Sequence, residues 1–317
     1  METKLVLVDG LPGIGKSTAS QWISNQLNLN GYAARWHYEI SSSSPLRQGV
    51  KASAVPNSGL FEHGVRTWEN YVEAATDSDQ LVVMDAGQFQ HLILQAFVRD
   101  LPITKIEDYF QQVENITTVL NPLFIHLSTT DAASHIAQTY LHRGPKWTDI
   151  LTEWSLASSF AKNRLLTGHS GSLLFWQEYH SLCSNLFEQS GMNKLKIDIQ
   201  PGHPAWLQQE EQILDLLELR RAVSNTQFDE NAVLGNYFCE QNSRQFQIIQ
   251  RQGQLCAIGL LEPLERESTL IAVESQKLIV RGHDVTLVLG QESRNEPVFV
   301  SVESSWPKVA GDIFVRL

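Results

Sequence analysis

The segment KLVLVDGLPGIGKST (Lys4–Thr18) joins a short apolar run to a glycine-rich turn, and TASQWISNQL then continues it with helical character. Gly10 to Thr18 fits the spacing G-x-x-x-x-G-K-[S/T] through Gly10, Gly15, Lys16 and Ser17. The physical reasons for such a string are separable. Gly10, Gly13 and Gly15 let the backbone turn tightly with no side chain in the way of oxyanions. Successive N–H groups, those of Ile14 and Thr18 among them, form an anion nest at the start of a helix, where the helix dipole also favours negative charge. Lys16 can reach the β- and γ-phosphates of a nucleotide, and the Ser17 hydroxyl can ligate Mg²⁺. The strand before and the helix after supply the setting that this motif (Walker A) requires.

Working outward, short apolar runs alternate with helix-period stretches as far as about Arg221. KLVLV (4–8), YAARWHY (32–38), QLVVMD (80–85), PLFIHL (122–127) and KLKIDI (194–199) read as strands. Their near-continuous apolar character suits parallel strands covered on both faces. Helices are expected at about 17–29, 62–76, 88–99, 105–119, 130–141, 152–162, 172–190 and 204–221. Strands separated by helices imply βαβ units and a doubly wound parallel sheet, an α/β fold. After about Thr226 the pattern changes. NYFCEQ, RQFQIIQ, QLCAIGLL, STLIAVE, KLIVRG, DVTLVLG and PVFVSVE are short β-rich runs parted by turns such as Arg251-Gln252-Gly253 and Gly282-His283-Asp284. That spacing implies a smaller antiparallel all-β domain, either a sandwich or a partly closed barrel. The expected domains are 1–225 and 226–317, with the boundary in the polar stretch AVSNTQFDEN. SSSSP (41–45) reads as a mobile loop after the second strand.

Composition narrows the function classes. In 317 residues, 24 Lys and Arg stand against 35 Asp and Glu, a net charge of -11. Long-range repulsion then opposes a chain-wide nucleic-acid or anionic-membrane surface, while a small anionic ligand held by local cations remains open. Cys183, Cys239 and Cys256 form no C-x-x-C pair and read as small buried hydrophobes in a reducing compartment. The N-terminal apolar run is too short for a signal-peptide core, and no stretch has the apolar length of a membrane helix. A soluble, cytoplasmic protein is expected. The ten histidines show no metal-ligand spacing.

Further site residues follow from their places at strand ends. LVVMD ends in Asp85, where a carboxylate beside the glycine-rich loop can hold Mg²⁺ directly or through water. Glu39 ends the second strand in RWHYEI, where it would overhang an acceptor pocket as a base; Asp9 is a second candidate. Each could equally be a solvated or ion-paired carboxylate. In LHRGPKW (141–147), Arg143 and Lys146 flank a Gly-Pro break that could close over the γ-phosphate, though cations also suit helix C-termini. Lys162 and Arg164 are a weaker pair. Arg47, Arg66 and Arg99 could clamp an acceptor phosphate, but surface roles are the default. His37, Trp68, Tyr71 and Phe89 could offer aromatic faces to a ring, but core packing is the default. Asp85-Ala86-Gly87-Gln88 has Gln where a GTPase switch needs Gly, and Asn193-Lys194-Leu195 is followed by Lys196 rather than Asp, which argues against a regulatory GTPase.

In this order of features, residues 1–220 resemble the thymidylate-kinase-like group of P-loop nucleoside and nucleotide kinases. The likeness rests on GLPGIGKST, on Glu39 with the Ser/Pro-rich loop and Arg47, and on LVVMD followed by Gln95-Ala96-Phe97. HRGPK and the KIDI strand with its closing helix complete it. The resemblance implies Glu39 near the acceptor hydroxyl, Asp85 near Mg²⁺ or the acceptor, and Arg143 in a lid. That group usually carries Asp-Arg after the third strand; here Ala86 follows Asp85. Glu39 is followed by Ile40 where Pro is common. The expected activity is transfer of the γ-phosphoryl group of Mg·ATP to a nucleoside- or nucleotide-like small molecule. The assigned catalytic set is Lys16, Glu39, Asp85, Arg143 and Lys146. The alternatives are a kinase of a non-nucleoside metabolite or antibiotic, or a non-catalytic nucleotide-sensing module signalling through its β domain. No nucleic-acid or membrane partner is expected, and a homodimer stays open.

Overall fold

Alternation along the central strand sets the layers of the first half of the chain. In β1 (Leu5–Gly10), Leu5 and Leu7 enter one apolar core, whereas Val6 and Val8 enter another on the opposite side. The computed structural model describes residues 2–39, 41, 44–47, 54–199, 206–223, 227–261, 265–293, 296–304 and 310–317. These form two compact units that part between Ala222 and Val223. Residues 42 and 43 of the SSSSP loop lie outside the described residues.

The first unit is a five-stranded parallel sheet in the order β2-β3-β1-β4-β5. Around β1 stand β2 (Ala34–His37), β3 (Leu81–Asp85), β4 (Leu123–Ser128) and β5 (Asn193–Asp198). One face packs on α1 (Lys16–Leu29) and α9 (Trp206–Leu216), where Ile23, Leu27 and Ile213 meet Val83, Ile125 and Ile197. The other face packs on α2 (Leu60–Thr76), α4 (Ile103–Thr117) and α8 (Gly168–Gln189) through Trp68, Phe110, Phe175 and Phe187. Covering on both faces buries β1, β3 and β4 along their whole length, whereas the edge strands β2 and β5 stay part-exposed, against the expectation of five fully covered strands. The segment leaving the sheet is tied back to α1. The Gln26 carboxamide donates to the Ala222 carbonyl at 2.9 Å and accepts from the Ala222 N–H at 2.9 Å.

Two helical expectations change. The helix expected at 152–162 is two helices, α6 (Pro145–Leu156) and α7 (Ser159–Asn163), because the Ser158 hydroxyl accepts from the Ala161 N–H at 3.0 Å and caps a new start. The helix expected at 88–99 opens with a π-helical turn, Phe89–Ile93, and only then becomes α3 (Leu94–Val98). The remaining helix, α5 (Ala132–Arg143), follows β4.

The second unit resolves the choice between sandwich and barrel: eight antiparallel strands close on themselves. They are β6 (Gly235–Cys239), β7 (Arg244–Arg251), β8 (Gln254–Leu261), β9 (Glu265–Glu274), β10 (Lys277–Val280), β11 (Val285–Ser293), β12 (Glu296–Ser304) and β13 (Ile313–Arg316). The eighth, β13, was not expected from the sequence. It pairs with β12 on one side and β6 on the other, and so closes the barrel. Between β7 and β8, Gln252 (φ 51°) and Gly253 (φ 77°) both take positive φ, the two-residue turn that matches strand twist. The interior is filled by side chains: Tyr237 stacks on Phe246 at 5.0 Å, and Phe314 meets Phe246 edge-on at 4.8 Å.

The three cysteines are free and buried. Among the described residues, no helix is long and apolar enough to cross a membrane. Phe314→Ala should lower stability by about 3–5 kcal/mol in urea unfolding, because it empties the barrel at its closing strand.

Candidate functional site

The strand order places the site before any side chain is considered. From β1 the chain leaves towards β2 at one edge of the sheet, and from β4, its neighbour, it leaves towards β5 at the other. The diverging connections open a crevice beyond the carboxyl ends of these two strands. The glycine-rich loop, Gly10–Gly15, crosses that crevice.

The loop can lie there only because two positions lack side chains. A Cβ on Gly10 would stand 2.3 Å from the Leu127 carbonyl oxygen of β4, and one on Gly13 (φ 75°) would stand 2.4 Å from Cγ2 of Thr139 on α5. Helix α1 then starts behind Gly15, which brings no side chain to cap the first-turn amides. Ile14 is buried in the α1-side core, and Thr18 is half-buried. Three successive carbonyls of the loop each accept from a different side chain. Gln90 Nε2 donates to Gly10 O at 2.8 Å, Lys16 Nζ to Leu11 O at 3.1 Å, and the imidazole Nε2 of His135 lies 3.1 Å from Pro12 O.

Lys16 is only 5% exposed; its charge acts on two buried acids, Asp9 and Asp85, and the Glu39 charge acts on the same two. Asp85, at the end of β3, is buried; it accepts from the Ser17 hydroxyl and, at 3.5 Å, from the Glu39 N–H. Its Oδ1 has no partner among the described residues. Burial pushes the Asp85 carboxyl up to about 7, and the Glu39 charge adds to this, while Lys16 and the Ser17 hydrogen bond pull it back. Asp9 is buried as well, and burial raises it to about 6 against the pull of its hydrogen bonds and Lys16. Its oxygens accept from the N–H groups of Gln88 at 2.8 Å and Phe89 at 3.3 Å. That engagement makes Asp9 an anchor for the turn after β3 rather than a base over an acceptor. The turn itself is special: Ala86 takes φ 57°, unusual without a glycine, and its N–H donates to Val8 O at 2.8 Å. Gln88 is buried beside it, with neither side-chain polar atom partnered among the described residues.

The structure thus brings together Gly10, Gly13, Gly15, Lys16, Ser17, Asp85 and the backbone of Glu39. Arg143 and Lys146 are arranged differently from a free hinged segment. Arg143 is half-buried in the last turn of α5, Gly144 (φ 87°) turns the corner, and Lys146 is exposed on the first turn of α6. The Thr148 hydroxyl binds the Tyr140 and Gly144 carbonyls at 3.1 and 3.0 Å, so the corner is a packed joint between helices.

The other candidates take structural places. Arg164 pairs with Asp100 at 2.7 Å and covers the Phe160 ring, with Lys162 nearby on α7. Arg66 pairs with Glu62 on the surface of α2, and Arg99 holds the Val55 carbonyl at 2.7 Å. Trp68, Tyr71 and Phe89 are core residues, and His37 is buried at the end of β2. Arg47 falls in the 3₁₀ turn Pro45–Arg47, and its side chain lies outside the described residues.

Sequence reasoning missed His135 and Thr139. Both face the loop from α5, and the four-residue spacing His135–Thr139–Arg143 along one flank of a helix is the signal that could have found them. Burial lowers the His135 pKa and favours its neutral ring. A scan against protein-family models matches none of them to this chain, and a search of curated proteins gives no significant match.

The raised carboxyls carry a signed consequence. Between the ordinary carboxylate range near 4 and the folded value of about 7, native Asp85 keeps a proton that the unfolded chain has released. Stability therefore falls as pH rises through that window. Urea unfolding from pH 4 to 8 should show this decline, and Asp85→Asn should flatten it.

Proposed function

We propose that the chain is a P-loop phosphotransferase that moves the γ-phosphoryl group of Mg·ATP to a small, nucleoside- or nucleotide-like acceptor. The observation that carries this reading is the joining of Lys16, at the start of α1, to Asp85 at the end of β3 through Ser17, beside a loop in which Gly10 and Gly13 have no room for a side chain.

The loop amides and the Lys16 ammonium bind the β- and γ-phosphates, which replace the Leu11 carbonyl as the partner of Nζ. Ser17 and Asp85 fit a hard divalent cation: a hydroxyl and a buried carboxylate with one unpartnered oxygen are oxygen donors of the kind Mg²⁺ takes. When bound there, Mg²⁺ supplies positive charge against the phosphate oxygens. The site has reason to need it, since one buried ammonium acts on both Asp9 and Asp85 while the Glu39 charge opposes it at each. Glu39 takes the proton of the acceptor hydroxyl as its oxygen bonds to the γ-phosphorus and the bond to the bridging oxygen of ADP breaks. Arg143 and Lys146 supply cations from the corner between α5 and α6.

A nucleotide-sensing role without transfer is the second reading. It is favoured by Ala86 standing where an acceptor-binding arginine would follow Asp85.

ADP release from Mg·ATP, measured across nucleosides, nucleoside monophosphates, sugars and aminoglycosides, tests both. Acceptor-dependent release that Lys16→Ala lowers about 10²–10³-fold is expected. Wild-type turnover in Lys16→Ala would remove the reading, and tight ATP binding with no acceptor-stimulated release would select the sensor. Asp85→Ala should shift the Mg²⁺ titration to higher concentration, and an unchanged titration would take Asp85 out of the metal site.

A further inference from the structure

We infer that His135 is a positioning residue of the nucleotide site, fixing the direction of one peptide group in the glycine-rich loop. This rests on the reading of that loop as a phosphate cradle. A carbonyl oxygen only accepts, so the 3.1 Å contact between His135 Nε2 and Pro12 O requires the proton on Nε2. In a trans peptide the C=O and the following N–H point in opposite directions. Holding Pro12 O against α5 therefore aims the Gly13 N–H away from α5. Gly13 is the residue at which this orientation is least secure. Glycine populates both signs of φ with similar ease, so the Pro12–Gly13 peptide could flip at low cost and present a carbonyl where an N–H is needed. Proline at position 12 donates no N–H of its own, and the Ile14 N–H is turned back onto Leu11 O at 3.3 Å, so the aim of the Gly13 amide matters to what this limb of the loop presents.

Helix α5 is well placed to enforce the orientation. Its start is fixed by Asp131, which accepts from the Ser134 N–H at 2.9 Å, and about two turns on it sets Thr139 against Gly13. The same helix ends in Arg143. The phosphate-facing amide and the corner that carries the cations are thus set by one rigid element.

The test compares His135→Gln, which keeps a side-chain N–H donor, with His135→Leu and His135→Phe, which do not. Binding of Mg·ADP and of inorganic pyrophosphate is measured by calorimetry on the full chain, with thermal melting alongside. Losing one aimed donor to a phosphate oxygen should weaken both ligands about tenfold in the Leu and Phe variants, with Gln restoring binding to within about threefold of wild type. A purely structural role would weaken Gln along with the others, in step with melting temperature. If Phe fails to fold, the comparison of Gln with Leu decides. Leu and Gln variants that bind alike would overturn the inference while wild-type nucleotide binding still stands. A wild-type chain that binds neither Mg·ADP nor pyrophosphate would overturn the nucleotide site itself, and this inference with it.

Discussion

A carboxylate buried one residue before the glycine-rich loop governs the geometry of the site. Asp9 ends the apolar part of β1, and its oxygens take the N–H groups of Gln88 and Phe89, about 80 residues later. Together with the Ala86 N–H on Val8 O, this ties the exit of β3 to the exit of β1. The parallel register that pairs Val8 with Asp85 is thereby carried past the strand ends into the turn, where register alone would no longer hold. Asp85 stays within reach of Ser17 for that reason. The cost is the desolvation of a second acid close to the first, and two backbone donors and the Lys16 charge offset it only in part, since both carboxyls stay raised.

How much of this could be read from the chain depends on whether the determining contact is local. The strand, turn and helix around the glycine string were legible because each residue there acts within its own turn. The three central parallel strands were legible because two-sided burial leaves a continuous apolar run. Asp9 was ambiguous, since the two donors that define its role arrive from a distant segment. The break between α6 and α7 depends on a single serine inside an otherwise helical pattern. IFVR escaped because four residues give too little alternation to stand out, although they supply an entire barrel strand. The Gly-Pro break at 144–145 was visible as a break. Its rigidity was not, because Thr148 and Tyr140 impose it across the corner.

Hydrogen-bond supply also explains the unusual backbone around Gln88. The left-handed Ala86 and the π-helical turn that follows are departures of a kind that surrounding structure must over-determine. Asp9 and Val8 of β1 and the Tyr179 hydroxyl of α8, which donates to Phe89 O at 2.5 Å, supply that determination from two separate elements. The segment is held from outside and has little local preference for its shape.

The closing strand of the barrel has a consequence for the order in which the protein assembles during synthesis. The parallel sheet has its last strand once Asp198 has been made, and its neighbours can pair as they emerge. The barrel has no such gradual route. Its first strand, β6, keeps one edge unpaired until β13 leaves the ribosome, with six other strands translated in between. Joining the first and last strands is the contact of longest loop closure in that unit, so it comes late and governs the rate. Until then β6 offers an open row of backbone donors and acceptors to any strand nearby, and a ribosome pausing before Ile313 would prolong that exposure.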